Sequence, residues 1–402
     1  MICDFNGPFA RLAFGSIVDY GFPVHNLMRH PQLLKALFLA RLTLGYAILV
    51  FHSQGAQVPV VTTSNVAIRV MTANLTGNSQ TYEPDAIRIF QGLKPDIVAI
   101  QEFNYLGNTA SDVRTMVNTA FGTNFFYYRE TGYAIPNGII SRWPIAAVGS
   151  WEDTDPGVND RGFAWARIDL PGSNDLYVVS IHLKASSGGT NEFRRNAEAL
   201  LVKSLIQSNF PPNAWMLVAG DCNIQSANED ALATFKTFLV DAPIPTDSPA
   251  GGDADTNNGR SERYDYVFPN SAFNSNRVAT TVGSRTFPDG LVFDSRIFSP
   301  LADVAPVLTG DSANLQHMAV IKDFRIALTV TNLVTVPRPV LRLVSTNLLR
   351  WDGLSNLTYT VEGSSSLTNW RTLGIASSST TDFSFTNQMP SSGRNFYRVV
   401  FP

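Results

Sequence analysis

The chain has 402 residues, 44% of them hydrophobic and 16% charged, enough to bury a large core and to carry a second, smaller domain. A net charge of −3 supplies no global basic field of the kind that marks a nucleic-acid binder, although one basic groove can hide in an acidic average. The cysteines are Cys3 and Cys222, so a processed N-terminus would leave one thiol and no intramolecular disulfide framework.

In chain order, Arg29, Lys35 and Arg41 precede the apolar run LTLGYAILVF (residues 42–51), too short to span a bilayer comfortably. Ser53, Gly55 and Ala56 follow where a signal peptidase would cut. Residues 1–57 are therefore expected to be an N-terminal extension and signal peptide, with Met28 as an alternative start. A secreted or periplasmic protein without a stable membrane anchor follows from this, and a hydrophobic anchor helix is the other reading of the same run.

From Val66 onward short strands alternate with helices. VAIRVMTANL (66–75) is rich in branched residues and reads as a strand. YEPDAIRIFQGLKP (82–95) carries Ile87, Phe90 and Leu93 near one face and is stopped by Pro95, a helix pattern. DIVAIQEF (96–103) reads as a buried strand ending in a carboxylate. NGIISRWPI, FAWARIDL and LYVVSIHLKA read as strands, NEFRRNAEALLVKSLIQ as a helix, and WMLVAGD, RYDYVF and MAVIKDF as strands. Such a mixture predicts an α/β or α+β catalytic-sized domain over residues 64–326. Residues 327–339, with Pro337 and Pro339, read as a linker. Residues 340–402 show only short strands separated by Ser, Thr, Asn and Gly, the pattern of a small antiparallel sandwich. Trp351, Tyr359 and Trp370 are expected in its core.

Single functional groups fall at the strand ends: Asn74, Glu102, His182 and Asp221, with Asp265 inside RYDYVF and His317 before MAVIKDF. An acid after a strand is usually a turn former, and a lone histidine is usually a satisfied core or surface residue. In α/β layers, however, strand ends converge on one sheet edge, so groups distant in sequence can meet there. Six in succession point to a site. Cys222, between Asp221 and Asn223, alternates away from them and is expected to be a buried filler.

The ordered stretches TANLTG, IVAIQEF, NGIISRWPI, VVSIHLKA, VAGDCNI, RYDYVF and the final His317 resemble the endonuclease/exonuclease/phosphatase superfamily, the DNase I-like fold. The resemblance covers residues 66–324 and implies a four-layer α/β/β/α sandwich of two packed mixed sheets. It implies Mg²⁺-dependent phosphoester hydrolysis (Mn²⁺ as a substitute), with Glu102 and Asn74 as metal ligands, and Asn74 also beside the substrate. Asp221 would orient or deprotonate the attacking water, Asn223 would position it or the phosphate, and His182 and His317 would donate to phosphate oxygens. Asp265 would pair with His317. Arg161 matches a substrate-side polar position and reads equally as a surface arginine, Arg194 and Arg195 read as solvent-facing or phosphate-steering, and Trp143 as packing.

One departure stands out. The family pattern places an acid before the last histidine, and here Gln316 takes its place; Asp311 would compensate if its loop folded back. The expected partner is a phosphoester, nucleic acid favoured over lipid, handled by a monomeric nuclease or general phosphodiesterase. A sphingomyelinase-like or inositol-phosphate-type lipid-headgroup enzyme is the alternative, and a catalytically weak binding scaffold the third reading. The C-terminal strands, with LRWDGLSNLTYTVEGSSSLTNW and NFYRVV, resemble a small β module appended to exported bacterial proteins, which implies no activity.

Overall fold

The structure, a computed structural model, describes residues 57–154, 159–336, 338–345, 347–386 and 395–401. The expected signal peptide and the alternative start at Met28 lie outside the described residues. Among the described residues no helix is long and apolar enough to cross a membrane. The chain divides into two compact units, one of them Pro59–Asn332 and the other containing Leu333–Pro402.

Two mixed sheets build the larger unit. The first contains β1 (Gln57–Ala73), β2 (Ile97–Ile100), β3 (Phe126–Arg129) and β4 (Gly138–Ser141). With β10 (Arg277–Val278), β13 (Leu291–Phe293) and β14 (Ala319–Thr335) they run in the order β10-β14-β1-β2-β4-β3, β13 pairing with β14. The second sheet runs β5-β6-β7-β8-β9 over β5 (Ile145–Trp151), β6 (Phe163–Ile168), β7 (Leu176–His182), β8 (Trp215–Asp221) and β9 (Asp265–Pro269). β1 and β2 are parallel, as are β7 and β8, while β8 and β9 are antiparallel. β11 (Thr280–Val282) and β12 (Arg285–Phe287) form a separate hairpin.

The period-2 alternation of each strand assigns its side chains to layers. Val70, Ile97, Ala99, Val178, Leu217, Ala219 and Val267 meet in one core. Their neighbours Met71, Val98 and Ile100 face the helices α1 (Pro84–Leu93) and α2 (Ala110–Phe121) instead. Val179, Val218 and Phe268 face α3 (Gly189–Asn209) and α4 (Asp230–Lys236). The order is thus helices, sheet, sheet, helices, the α/β/β/α sandwich expected from sequence. Because both faces of the central strands are covered, they read as nearly continuous apolar runs, each buried Val or Leu contributing about 1.5–3 kcal/mol. In α1, Pro84 sits in the first turn, and Ala86, Ile89, Phe90 and Leu93 are buried. Lys94, in the left-handed region, returns its N–H to the Phe90 carbonyl.

Residues 327–335, read from sequence as the start of a linker, continue β14. The smaller unit carries the sheets β15-β16-β19 and β18-β17-β20, with β15 Arg342–Ser345, β16 Leu348–Asp352, β17 Thr358–Ser364, β18 Arg371–Ser377, β19 Asp382–Thr386 and β20 Phe396–Val400. Leu349, Trp351, Tyr359, Val361 and Phe383 fill its core. Trp370 is not part of that core: it is partly buried, with the Arg398 guanidinium 4.5 Å over its ring.

Candidate active site

Strand register places most of the site. β7 and β8 run in parallel with His182 opposite Asp221, and β8 pairs antiparallel with β9 so that Asp221 lies opposite Asp265. Three consecutive strands therefore deliver His182, Asp221 and Asp265 side by side at one edge of the second sheet. In the first sheet Ala73 pairs with Ile100, so the residues that follow, Asn74 and the Gln101–Glu102 pair, leave adjacent strands at the same level. His317 enters two residues before β14. Gln101 ties the sheets together: its Nε2 donates to Ser180 Oγ at 2.9 Å, and that hydroxyl donates to the Ile100 carbonyl at 3.0 Å.

The turn after β8 needs special backbone. Gly220 has φ +157°, and a Cβ there would lie 1.9 Å from the Ile181 carbonyl oxygen, so no other residue fits against β7. Asn223 (φ +51°) and Glu102 (φ +49°) both occupy the left-handed region, which non-glycine residues seldom enter and which clusters at functional sites.

A single hydrogen-bonded network joins these side chains. Asn74 Nδ2 donates to Asp221 Oδ2 at 3.1 Å, and the Asn223 backbone N–H donates to Asp221 Oδ1 at 2.9 Å. Asp221 Oδ2 also lies 3.3 Å from His182 Nε2 and 3.5 Å from His317 Nε2. His317 Nδ1 meets Asp265 Oδ2 at 2.7 Å, and Thr256 Oγ1 donates to the same oxygen at 2.7 Å. All are buried, from Asp265 at 0% exposure to His317 at 7%.

The two histidines carry different charge. Burial pushes His317 down, but the carboxylates of Asp265 and Asp221 outweigh it and hold the ring at about 10, an imidazolium at neutral pH. Burial pushes His182 well below its ordinary value, and the charges of Arg161 and His317 add to this, so its ring is neutral. His182 Nδ1 has no hydrogen-bond partner among the described residues. Burial raises Asp221 to about 6, with the His317 charge opposing and Asp265 adding to the rise.

On the first sheet's side, Glu102 accepts from Thr76 Oγ1 at 2.5 Å and from Gln80 Nε2 at 3.3 Å. Gln316 Nε2 donates to the Gly77 carbonyl at 2.8 Å and to Thr76 Oγ1 at 3.1 Å, and lies 3.4 Å from Glu102 Oε2. The Gly77 carbonyl fixes which end of that amide faces inward. Thr76 Oγ1 also approaches Asn74 Oδ1 at 3.5 Å, so the oxygens of Glu102 and Asn74 border one hydroxyl. One carboxylate plus one amide oxygen is the donor set a hard divalent cation takes. Asp221, Asp265 and His317 also place ligand atoms within 4.8 Å of one another. That trio is less suited to a cation, because His317 itself supplies the positive charge there.

Other sequence expectations are redistributed. Arg161 is 6% exposed and pairs with Asp160 at 3.1 Å, close enough to His182 to depress it. Arg195 is neither solvent-facing nor phosphate-steering: it is fully buried, bidentate to Glu229 at 2.8 Å on both oxygens, and donates to the Lys184 and Ser186 carbonyls. Asp311 does not fold back to the site; its carboxylate holds Arg88 at 2.6 and 3.0 Å. Cys222 is buried in the core under α3 and α4, and Trp143 in the core between the sheets. Sequence reading missed Thr76, Gln80 and Thr256. Thr76 stood in the open, two residues after Asn74, whereas Thr256 lies in a loop with no periodic pattern.

No protein-family profile matches the chain. Over 153 residues, 33% of this chain, it is 29% identical to sphingomyelinase C of Bacillus cereus, and it spans 43% of that protein's length. It is similar to the solved structure of an endonuclease/exonuclease/phosphatase from Beutenbergia cavernae at TM-score 0.44 and 13% identity, covering 83% of this chain and 100% of the other. The human Nocturnin catalytic domain with bound sulfate gives 0.44 and 14%, covering 69% and 98%. With helices outside two packed mixed sheets and the strand-end residues gathered at one edge, the chain is an α/β/β/α sandwich, the layer order of the DNase I-like fold.

Proposed function

We propose that the chain is a divalent-metal-dependent hydrolase of phosphodiesters, exported from the cell. The carrying observation is the asymmetric pair of histidines around Asp221: one ring held cationic, the other neutral, both within 3.5 Å of one carboxylate oxygen. Glu102 and Asn74 would hold the metal, Mg²⁺ or Mn²⁺, which when bound neutralises phosphate charge. Asp221, near 6, is matched to take a proton from water at neutral pH. Water's oxygen then bonds to phosphorus, the ester P–O bond breaks, and the departing alkoxide takes up a proton from solvent. Asn223, its backbone N–H on Asp221, orients the water. His317 donates to a phosphate oxygen as charge builds, with Asp265 fixing its tautomer. Neutral His182 donates from Nε2 on the other side, and Arg161 steadies the substrate side. The smaller unit, which contains Leu333–Pro402, takes no part in this chemistry.

A nuclease or general phosphodiesterase is the first reading. The 153-residue similarity to sphingomyelinase C supports a second, a lipid-headgroup phosphodiesterase. Purified protein with Mg²⁺ or Mn²⁺ is assayed against plasmid DNA, RNA, sphingomyelin and bis(4-nitrophenyl) phosphate. Turnover of at least one is expected, falling by about 10²-fold or more in Glu102→Ala and His317→Ala. No turnover, with no divalent-metal binding by calorimetry, would sink the reading in favour of a binding scaffold in which Gln316 has disabled the site.

A further inference from the structure

A cleft of about 680 Å³ opens from His317, lined among others by Asn78, Asn223, Asn258, Asn314 and Gln316. None of its lining residues is Lys, Arg, Asp or Glu, so His317 is the only lining group that carries charge. The amide nitrogens are largely spent on the fold. Asn223 Nδ2 donates to the Leu183 carbonyl at 3.1 Å, and Asn258 Nδ2 to the Ala313 carbonyl at 3.1 Å and to the Leu315 carbonyl. Asn314 Nδ2 donates to Asp85 at 2.8 Å, and Gln316 Nε2 to the Gly77 carbonyl. The amide oxygens of these four residues accept from no protein donor among the described residues, and Asn78 is exposed. Asn257, also in the lining, spends its amide oxygen on the Ser261 and Glu262 N–H groups, so the uncharged acceptors the wall offers are the amide oxygens of those four residues.

Such a wall selects its ligand. A polyanion needs Lys or Arg along its track, and there is none here. A quaternary ammonium has no N–H to give and is held by aromatic cages, whereas Tyr264 is the one lining aromatic besides the imidazole. An uncharged alcohol with several hydroxyls supplies donors to match the amide oxygens, and buried polar groups left unmatched are costly. We propose that this cleft receives an uncharged, hydroxyl-rich alcohol, of glycerol or hexose type, as the leaving group of the phosphodiester. The proposal rests on the general-phosphodiesterase reading, gives its substrate class, and weighs against the nuclease reading beside it.

The test pairs calorimetry with competition against bis(4-nitrophenyl) phosphate, using the metal-loaded full chain. The probes are glycerol 3-phosphate, a hexose 1-phosphate, phosphocholine, a dinucleotide and inorganic phosphate. The glycerol and hexose phosphates are expected to bind at least tenfold tighter than phosphocholine, the dinucleotide and inorganic phosphate. Asn78→Leu, at an exposed position, should weaken hexose phosphate at least fivefold more than inorganic phosphate. Equal or tighter binding of phosphocholine or the dinucleotide overturns the proposal, as does a uniform loss across all probes in Asn78→Leu. Hexose phosphate binding without turnover of the reporter would refute hydrolysis and leave the cleft's preference standing; turnover without the preference would do the reverse.

Discussion

The ring of His317 lies between two carboxylates, and that placement decides its charge. Burial alone would make it a neutral base; Asp265 at 2.7 Å and Asp221 at 3.5 Å hold it at about 10. Its folded value is raised, so its contribution to stability is fully present below the unfolded value near 6.5 and is lost as pH rises through about 10. The same proton is the one a phosphate oxygen would accept. Replacing Asp265 with Asn keeps the shape and removes one of the two charges, so burial should then pull His317 down. In a pH profile of kcat/KM, the acid limb should reflect Asp221 near 6 and the alkaline limb His317 near 10. Asp265→Asn should move the alkaline limb to lower pH by at least one unit. An alkaline limb that stays where it was would show that His317 is not the group that must keep its proton.

At the scale of elements, two buried cations show what sequence alone left open. Arg195 and Glu229 link α3 to the loop before α4, both carboxylate oxygens being engaged and the arginine wholly buried. Removing one partner leaves the other charge stranded, so Arg195→Met should cost about 3–5 kcal/mol in urea unfolding, whereas Arg195→Met with Glu229→Gln should recover much of it. From sequence, Arg195 looked like a surface residue because its partner is 34 positions away and no local period links them. Lys322, on β14, is the second case: it donates to the Asp241 carbonyl at 3.1 Å, and burial lowers it to about 7, helped by the nearby charges of Arg263 and Arg277. Its folded value is depressed, so the unfolded chain binds the extra proton between about 7 and 10.5 and stability should rise with pH across that window. Lys322→Met removes the titration. The difference in unfolding free energy between pH 6 and pH 10 should shrink by up to about 4 kcal/mol, the three units of that window below pH 10 each giving roughly 1.4 kcal/mol. An unaltered slope would mean that the amine stays charged inside the fold.

Across the whole molecule, the layers were legible because the central strands are short, branched-residue runs whose alternate positions both find a core: Leu217 and Ala219 between the sheets, Val218 against the helices. The strand-end residues were legible for the same reason, since a polar group closing a buried run is conspicuous. What holds those residues was less legible: Thr256 under Asp265 and Gln80 beside Glu102 come from loops whose course depends on long-range pairing. The linker expected over residues 327–339 overlaps a strand. Pro337 and Pro339 drew attention to a linker, whereas β14 runs on to Thr335 and the two compact units part at Leu333. Val336 already belongs to the core of the smaller unit. All the hydrogen-bonded side chains of the site, from Asn74 to His317, come from Pro59–Asn332, which has its own three apolar cores. A chain ending at Thr335 should therefore fold in one cooperative transition and keep kcat/KM on bis(4-nitrophenyl) phosphate within about twofold, since inter-domain contacts are the usual casualty of such cuts and the cores are not. Thermal melting and the kinetic assay together check this, and a truncated chain that melts cooperatively yet loses turnover would assign the smaller unit a part in the reaction.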